Sequence, residues 1–306
     1  MSVKPPQPYR LDTDAGLSAS FLALAGDLVA RIEADLGDEA LTASQKAHEA
    51  RKKLKRLRGL WRLTRTLDKK AARTENNHYR EIGRILAPLR DHGAMRDTFA
   101  SLAADFGDQM APDALDGLHA ALLSELDREK GWETSSQSAI DIARAGCQVG
   151  HARLRKYDWV GGEKRWRKSI AKGFNRSAMQ TEKRFDKARK SNAVEPLHDL
   201  RKALKYSWMH LKLVRDGLDE DTRQAQCAVK AAADTLGQHQ DICALMTYLR
   251  EGEIGTDADR ALLATLADRR LATLRDTGLA EAEAALALLP ALKARHLVRP
   301  AAQTAA

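Results

Sequence analysis

Two short patches of this 306-residue chain recur after an interval of 150 residues. The segment His48–Lys55 reads HEARKKLK and matches HDLRKALK at His198–Lys205, and LAPLRD at Leu86–Asp91 matches LGQHQD at Leu236–Asp241. Two separate patches that share one offset are hard to obtain by coincidence among helices of similar composition. We therefore predict two copies of one structural unit, joined near residues 158–162.

Apolar residues recur at three- and four-residue spacing along most of the chain, a pattern that predicts amphipathic helices. The first such run is Leu17, Phe21, Leu24, Leu28 and Ile32. Ala and Leu are abundant and aromatic residues make up only 5%, which favours helices over strands. No segment alternates long enough to require a strand, so we predict an all-α fold.

The helical patterns and their breaks suggest a domain organisation. After the first helix, further helices are predicted over about 44–67, 75–89, 93–106, 112–130, 134–157, 163–190, 196–215, 220–237, 240–250, 257–275 and 279–295. We predict one domain over 16–295, with repeat halves at about 16–157 and 163–295, each a small helical bundle. Residues 1–15 and 296–306 are predicted to be tails.

Positive charge is concentrated in two segments of a chain whose formal net charge is +9. Residues 45–90 carry 15 Lys and Arg against 4 Asp and Glu, and residues 151–215 carry 19 against 6. The rest of the chain is therefore acidic, with a net charge of −15. Such segregation indicates an acidic partner rather than an evenly solvated surface.

A helical wheel through the first motif segment separates cations from apolar residues. One face carries His48, Arg51, Lys52, Lys55, Arg56, Gly59 and Arg62, and the opposite face carries Leu54, Leu57, Leu60 and Trp61. In the second half the corresponding face carries His198, Arg201, Lys202, Lys205, Met209 and Lys212, and Leu200, Leu204 and Leu211 face away. Core packing of the leucines is expected to place the cations on one continuous positive surface.

Cations crowded on one helix face repel each other by a few tenths of a kcal/mol per i,i+4 pair. A purely solvated face would intersperse acidic residues, but only Glu49 and Asp199 lie within the two motif segments. A bound polyanion would supply the missing negative charge. On this reading, charge reversal at Arg51 and Arg201 is expected to weaken binding without affecting the melting temperature.

A third basic cluster, Lys164–Lys168, precedes the second motif and contains Arg165 and Arg167. It either extends the same surface or forms an ordinary solvated face, and the sequence leaves both readings open. We include Arg165 and Arg167 among the candidate binding residues.

The motif histidines, His48 and His198, are compatible with a phosphate contact, a phosphoryl acceptor or a metal ligand. Cationic neighbours disfavour a metal, and no spacing indicates an activating carboxylate, so a phosphate contact or a structural role is favoured. No Walker A loop or Mg²⁺ motif is visible, so we expect no catalytic residue, metal or cofactor. A phosphoanhydride-acting enzyme is the least favoured alternative.

Cysteine usage and hydropathy suggest where the chain resides. The three cysteines form no CxxC pair, residues 1–10 do not resemble a signal peptide, and no apolar stretch approaches the roughly 20 residues of a membrane span. We therefore expect a cytoplasmic protein without disulfides and with no membrane partner.

The doubled H-x-x-R-K-x-x-K helix, each followed by an L-x-x-x-R/Q-D segment, resembles the CHAD family (conserved histidine α-helical domain). The second segments contribute Arg90-Asp91 and Gln240-Asp241. The resemblance covers roughly residues 15–290. It implies two four-helix bundles related by a pseudo-two-fold axis, and a basic surface that binds inorganic polyphosphate, in some members on polyphosphate granules. The halves are not equal in charge. The residues equivalent to Arg56, Arg58 and Arg90 are Tyr206, Trp208 and Gln240, none of which is a cation.

The scarcity of aromatic residues bears on the choice of polyanion. Polyphosphate offers no bases to stack on, whereas a single-strand nucleic acid site usually adds aromatic stacking platforms. Few aromatics lie near the motif segments, and Trp61 falls on the apolar face. Polyphosphate is therefore the leading candidate, and RNA or DNA bound by the same cations is the alternative. The oligomeric state stays open.

Overall fold

The computed structural model describes residues 8–106, 109–127, 132–157, 162–214, 220–291, 293 and 297. These residues form ten helices: α1 (Leu17–Gly37), α2 (Ala43–Leu63), α3 (Lys69–Ile85), α4 (Ala87–Phe106), α5 (Pro112–Asp127), α6 (Trp132–Leu154), α7 (Glu163–Arg189), α8 (Val194–Val214), α9 (Glu220–Glu251) and α10 (Asp257–Leu288). They include no strand, which confirms the all-α fold. None of the helices in these ranges is long and apolar enough to cross a membrane.

The helices repeat with the offset found in the sequence. α7 and α8 correspond to α1 and α2, while α9 spans the positions of both α3 and α4. The breaks predicted at 237–240 and 275–279 are wrong, because α9 and α10 run through them. Gly237 and Gly278 lie at close side-chain contacts, with Arg201 and Leu236 respectively, so tertiary packing outweighs the low helix propensity of glycine.

Two hydrophobic cores stabilise the molecule. The larger is shared by α1, α2, α3 and α6 of the first half and by α7, α8 and parts of α9 and α10 of the second. The smaller joins α4 and α5 to the C-terminal part of α9 and the N-terminal part of α10. Each half therefore forms a four-helix bundle, α1, α2, α3 and α6 in the first half and α7 to α10 in the second. The smaller core also joins helices of both halves.

Helix α2 lies at the centre of this arrangement. Its apolar face is buried as predicted, with Leu54, Leu57, Leu60 and Trp61 each at most 1% exposed. Phe21 of α1 packs edge-on against Trp61, with ring centroids 5.2 Å apart. The helix begins with a capping box in which Thr42 and Gln45 satisfy each other's backbone amides. This packing fixes the rotation of α2 about its axis and hence the direction of its basic face.

The two motif helices cross at Gly59 of α2 and Met209 of α8, which occupy equivalent positions in the repeat. A Cβ atom on Gly59 would lie 3.6 Å from Met209 and 3.3 Å from the Tyr9 hydroxyl. His210 Nε2 hydrogen-bonds to the Gly59 carbonyl at 2.9 Å. The helical wheel placed Gly59 and Met209 on the basic face, but both are buried, because each motif helix covers part of that face in the other.

The predicted N-terminal tail is partly structured. Residues 1–7 lie outside the described residues, but Leu11 is 3% exposed and belongs to the larger core. Its backbone amide donates to the Leu213 carbonyl of α8, and the Tyr9 hydroxyl donates to the Arg56 carbonyl of α2. Residues 8–15 therefore pack across the motif helices. Of the predicted C-terminal tail, only Leu297 is described, and it is buried.

Helix α2 also packs tightly against α7 at Gly173. A Cβ atom there would lie 2.7 Å from Leu63 Cα and 2.9 Å from the Leu63 carbonyl oxygen. We expect Gly173→Ala to lower the free energy of unfolding by about 1–3 kcal/mol through overpacking, measured by urea denaturation. Gly117→Ala is the matched control, because nothing lies within 4 Å of its new methyl group. It should stabilise the protein by about 0.5–1 kcal/mol, and equal effects of the two changes would contradict the packing.

Candidate functional site

The fold brings the two repeat motifs into electrostatic contact. Lys55 of α2 lies close enough to Arg201 and Lys205 of α8, and to Arg90 of α4, for these cations to lower its pKa. Arg90 Nη2 in turn lies 3.7 Å from Asp241 Oδ1 of α9. Cations from both halves therefore form one group. We name it the motif cluster and define it as His48, Arg51, Lys52, Lys55, Arg90, His198, Arg201, Lys202 and Lys205.

In both halves, the aspartate of the L-x-x-x-R/Q-D segment stabilises the charge of the arginine of the H-x-x-R-K motif. Burial lowers the pKa of Arg51, and the nearby Asp91 carboxylate opposes that shift. Arg201 shows the same pattern, with burial lowering its pKa and Asp241 opposing it. The Asp of each L-x-x-x-R/Q-D segment thus faces the Arg of the H-x-x-R-K motif, which gives a physical reason for their common offset.

The motif arginines, Arg51 and Arg201, are not free surface cations. Arg51 is half-buried, and its Nη1 donates to the Gly83 carbonyl at the end of α3. Arg201 is also half-buried and packs on α9, where a Cβ atom at Gly237 would lie 3.2 Å from its Nε. Because both guanidinium groups pack within the fold, charge reversal at both arginines is now expected to lower stability as well as to weaken binding.

The exposed cations of the cluster include a matched pair of lysines. The Lys52 and Lys202 side chains are 48% and 53% exposed. Lys52 Nζ lies 2.8 Å from Glu49, and Lys202 Nζ lies 3.2 Å from Asp199, in the same i,i+3 geometry. Such exposed pairs contribute about 0–1 kcal/mol, so both ammonium groups can exchange these partners for a ligand.

Lys55 and Lys205 occupy equivalent positions but differ in charge balance. Lys205 Nζ contacts Asp234 at 2.6 Å, whereas the residue equivalent to Asp234 in the first half is Arg84. Among the described residues, no carboxylate lies within ion-pair distance of Lys55. Desolvation of its ammonium group, reinforced by Arg51, Arg201, Arg90 and Lys205, lowers its pKa to about 8. Lys55 thus has unbalanced positive surroundings.

The motif histidines contribute hydrogen-bonding groups rather than charge. Desolvation, followed by Lys52, lowers the pKa of His48, and desolvation, Lys202 and Arg201 lower that of His198. Both imidazoles are therefore neutral near pH 7. His48, Arg90 and Asp241 help to line a cavity of about 310 Å³. Within the described residues, no group of three or more His, Cys, Asp or Glu is placed to coordinate a metal ion.

The remaining candidates are not members of the motif cluster, although Lys212 shares the Trp208 ring with Lys205. Arg62 stacks on Tyr206 at 4.0 Å, Arg56 lies over Tyr9 at 5.7 Å, and Lys212 lies over Trp208 at 5.1 Å, all around the helix crossing. Arg165 donates to the Leu67 carbonyl beyond the C-terminal end of α2, and Arg167 pairs with Glu163 at 3.5 Å. The structure does not place Arg165 and Arg167 beside the motif histidines.

A second basic cavity, which the sequence analysis did not predict, lies between α2, α3 and α7. Its volume is about 470 Å³, and we name it the Arg62 cavity. Its cationic lining consists of Arg62, Arg65, Lys69, Arg73 and Arg176. No carboxylate is among the described residues that line it. The third helix was predicted to start at about 75, whereas α3 starts at Lys69, so the helical spacing of Lys69 and Arg73 was not part of the prediction.

Comparison with known proteins identifies the family. A family model described as the CHAD domain matches residues 24–250. The chain belongs to the CHAD domain family. The crystal structure of the CHAD domain from the plant Ricinus communis is similar to it, with a TM-score of 0.63 and 20% sequence identity over 95% of this chain and 99% of that chain. No curated protein matches this chain. The family assignment agrees with the resemblance seen in the repeated motifs.

The half-buried position of Arg51 predicts a structural cost that its exposed neighbour lacks. Arg51→Ala removes the hydrogen bond to the Gly83 carbonyl, so we expect the free energy of unfolding to fall by about 1 kcal/mol. Lys52→Ala should change it by less than about 0.5 kcal/mol, because Lys52 is exposed. Thermal and urea denaturation at pH 7 would measure both. An Arg51→Ala variant as stable as Lys52→Ala would show that Arg51 is not a packed residue.

Proposed function

We propose that this CHAD domain binds inorganic polyphosphate at the motif cluster and does not hydrolyse it. The observation that carries the proposal is the meeting of cations from both repeat motifs around Lys55, whose described surroundings provide no ion-pair partner. A polyanion supplies that missing negative charge through charge-assisted hydrogen bonds. We propose that the protein binds polyphosphate in the cytoplasm, including polyphosphate stored in granules.

The chemistry of the cluster favours a chain of phosphates over a nucleic acid. Its cations come from the two crossing helices and from α4. The aromatic rings near them already pack against protein groups: Arg62 covers Tyr206, and Lys205 and Lys212 flank Trp208. Stacking platforms for bases are therefore engaged by side chains. The neutral His48 and His198 add hydrogen-bonding nitrogens without adding repulsion. A flexible string of phosphates needs only such donors.

Charge reversal at two exposed cluster lysines tests the proposal. We expect Lys55→Glu combined with Lys202→Glu to weaken binding of long-chain polyphosphate at least about tenfold, measured by fluorescence anisotropy at fixed salt. Each lost phosphate contact should also reduce the slope of log affinity against log salt by about one. Melting temperature should not fall below that of the wild type, because Lys55→Glu removes a cation from unbalanced positive surroundings and Lys202 is exposed.

The control for this variant has the same change in net charge outside the motif segments. Arg250→Glu combined with Arg269→Glu changes one exposed cation of α9 and one of α10. Equal losses in the two variants would indicate a non-specific effect of net charge and contradict the proposed site. Release of orthophosphate by the pure wild-type protein would contradict the non-catalytic part of the proposal.

The lowered pKa of Lys55 gives the proposed site a pH dependence. Its pKa of about 8 means that the amine is mostly protonated at pH 7 and mostly neutral at pH 9. A neutral amine cannot form an ion pair with phosphate. The affinity for polyphosphate should therefore fall by about two- to fivefold between pH 7 and pH 9, which corresponds to the loss of one exposed ion pair. Lys55→Arg keeps its charge over this range and should flatten the profile while retaining affinity at pH 7. An unchanged profile in Lys55→Arg would rule out Lys55 as the titrating group.

A further inference from the structure

The basic face of α2 continues past the motif cluster and is matched by a second row of cations on α3. Arg51, Lys55, Arg58 and Arg62 lie within about 60° of each other around α2, as do Lys69, Arg73, Arg80 and Arg84 around α3. The α2 row is cationic at each step, and the α3 row is interrupted only by Asn76, between Arg73 and Arg80. One exposed carboxylate, Glu81, lies beside the second row and pairs with Arg80 and Arg84.

Contacts between α2 and α3 show that the two rows face one surface. Arg51 donates to the Gly83 carbonyl near one end of α3, and Arg58 Nε donates to Asn76 Oδ1 near its middle at 3.4 Å. Burial lowers the pKa of Arg58, and Arg62, Arg80 and Arg84 lower it further. The two rows therefore lie side by side on one basic surface, and we name the strip between them the α2–α3 groove.

The groove ends in the Arg62 cavity. Arg62, Lys69 and Arg73 continue the two rows into its lining. Arg65, in the turn after α2, and Arg176, on α7, add two further cations. Gly173 also lines the cavity, where α7 packs directly on Leu63. The helix rises by about 16 Å from Arg51 to Arg62 and by about 10 Å from Lys55 to Arg62, so a chain of three phosphates held between Arg51 and Lys55 does not extend into the cavity.

The sequence of the second half has lost much of this charge at the repeat-equivalent positions. The residues equivalent to the α2 row are Arg201, Lys205, Trp208 and Lys212, and those equivalent to the α3 row are Asp219, Arg223, Lys230 and Asp234. Asp234 also neutralises Lys205 and Lys230, at 2.6 Å from each. The residue equivalent to Arg176 of α7 is Gly26 of α1, so the corresponding position has no cation. The two halves thus differ in the charges that a long chain would meet.

We propose that a long polyphosphate chain is bound asymmetrically, running from the motif cluster along the α2–α3 groove of the first half into the Arg62 cavity. This inference rests on the proposed function and extends it. The motif cluster binds a short chain by itself, and the groove and cavity provide the additional affinity for a long one. The second half contributes at the motif cluster and supplies Arg176 to the cavity, and it has no corresponding track of its own.

Two exposed cations at the start of α3 allow the cavity to be tested without harming the fold. Lys69→Glu combined with Arg73→Glu places acidic residues in the first turns of a helix, where they are favourable. We expect affinity for long-chain polyphosphate to fall at least about tenfold and its salt slope to fall by about two. Affinity for inorganic triphosphate, which reaches only one cluster, should fall by less than about threefold.

A control variant places the same change in charge at the position of the second half that is equivalent to Arg73. Arg223→Glu combined with Arg269→Glu has the same change in net charge, and Arg223 is the counterpart of Arg73. This variant should keep long-chain affinity within about twofold of the wild type. A loss as large as that of Lys69→Glu with Arg73→Glu would overturn the asymmetry.

The outcomes separate this inference from the proposed function. If Lys55→Glu with Lys202→Glu abolishes binding while Lys69→Glu with Arg73→Glu retains full long-chain affinity and salt slope, the groove is wrong and the motif site stands. If the cavity variant loses triphosphate and long-chain binding equally, the cavity is not an extension for long chains. If the wild type binds no polyphosphate, both proposals fail.

Discussion

The crossing of α2 and α8 is the contact on which the proposed binding surface depends. It is close because Gly59 has no side chain and because its carbonyl accepts a hydrogen bond from His210, which is 1% exposed. Burial lowers the pKa of His210 to about 3, so it stays neutral and Nε2 donates. This crossing brings the two repeat motifs near each other. Without it, the basic faces of α2 and α8 would not form one surface.

Core packing provides the free energy that keeps like charges together. Full burial of one leucine contributes about 1.5–3 kcal/mol, whereas one i,i+4 pair of like charges costs a few tenths of a kcal/mol. Leu54, Leu57 and Leu60 alone therefore outweigh the repulsion along the basic face of α2. Part of the remaining repulsion is relieved locally, since Asp91 faces Arg51 and Asp241 faces Arg201. Around Lys55 it persists, and a bound anion would relieve it.

The sequence was sufficient for the repeat, the helical class and the apolar face of α2, because each depends on local periodicity. It did not reveal that Arg51, Gly59, Arg201 and Met209 are half-buried or buried, because a helical wheel gives a direction but not the neighbour in that direction. The Arg62 cavity was missed for a local reason. The segment after Asp68 lacks an apolar repeat, although Asp68 caps α3 by accepting from the Ala71 amide at 2.9 Å.

Competition between polyanions tests the central claim most directly. The pure protein would be titrated with labelled long-chain polyphosphate in the presence of single-stranded RNA or heparin at equal anionic charge, from about 50 to 500 mM salt. The account predicts that polyphosphate binds more tightly than either competitor and that its affinity falls by orders of magnitude over this range. Tighter binding of RNA, or an affinity insensitive to salt, would contradict it.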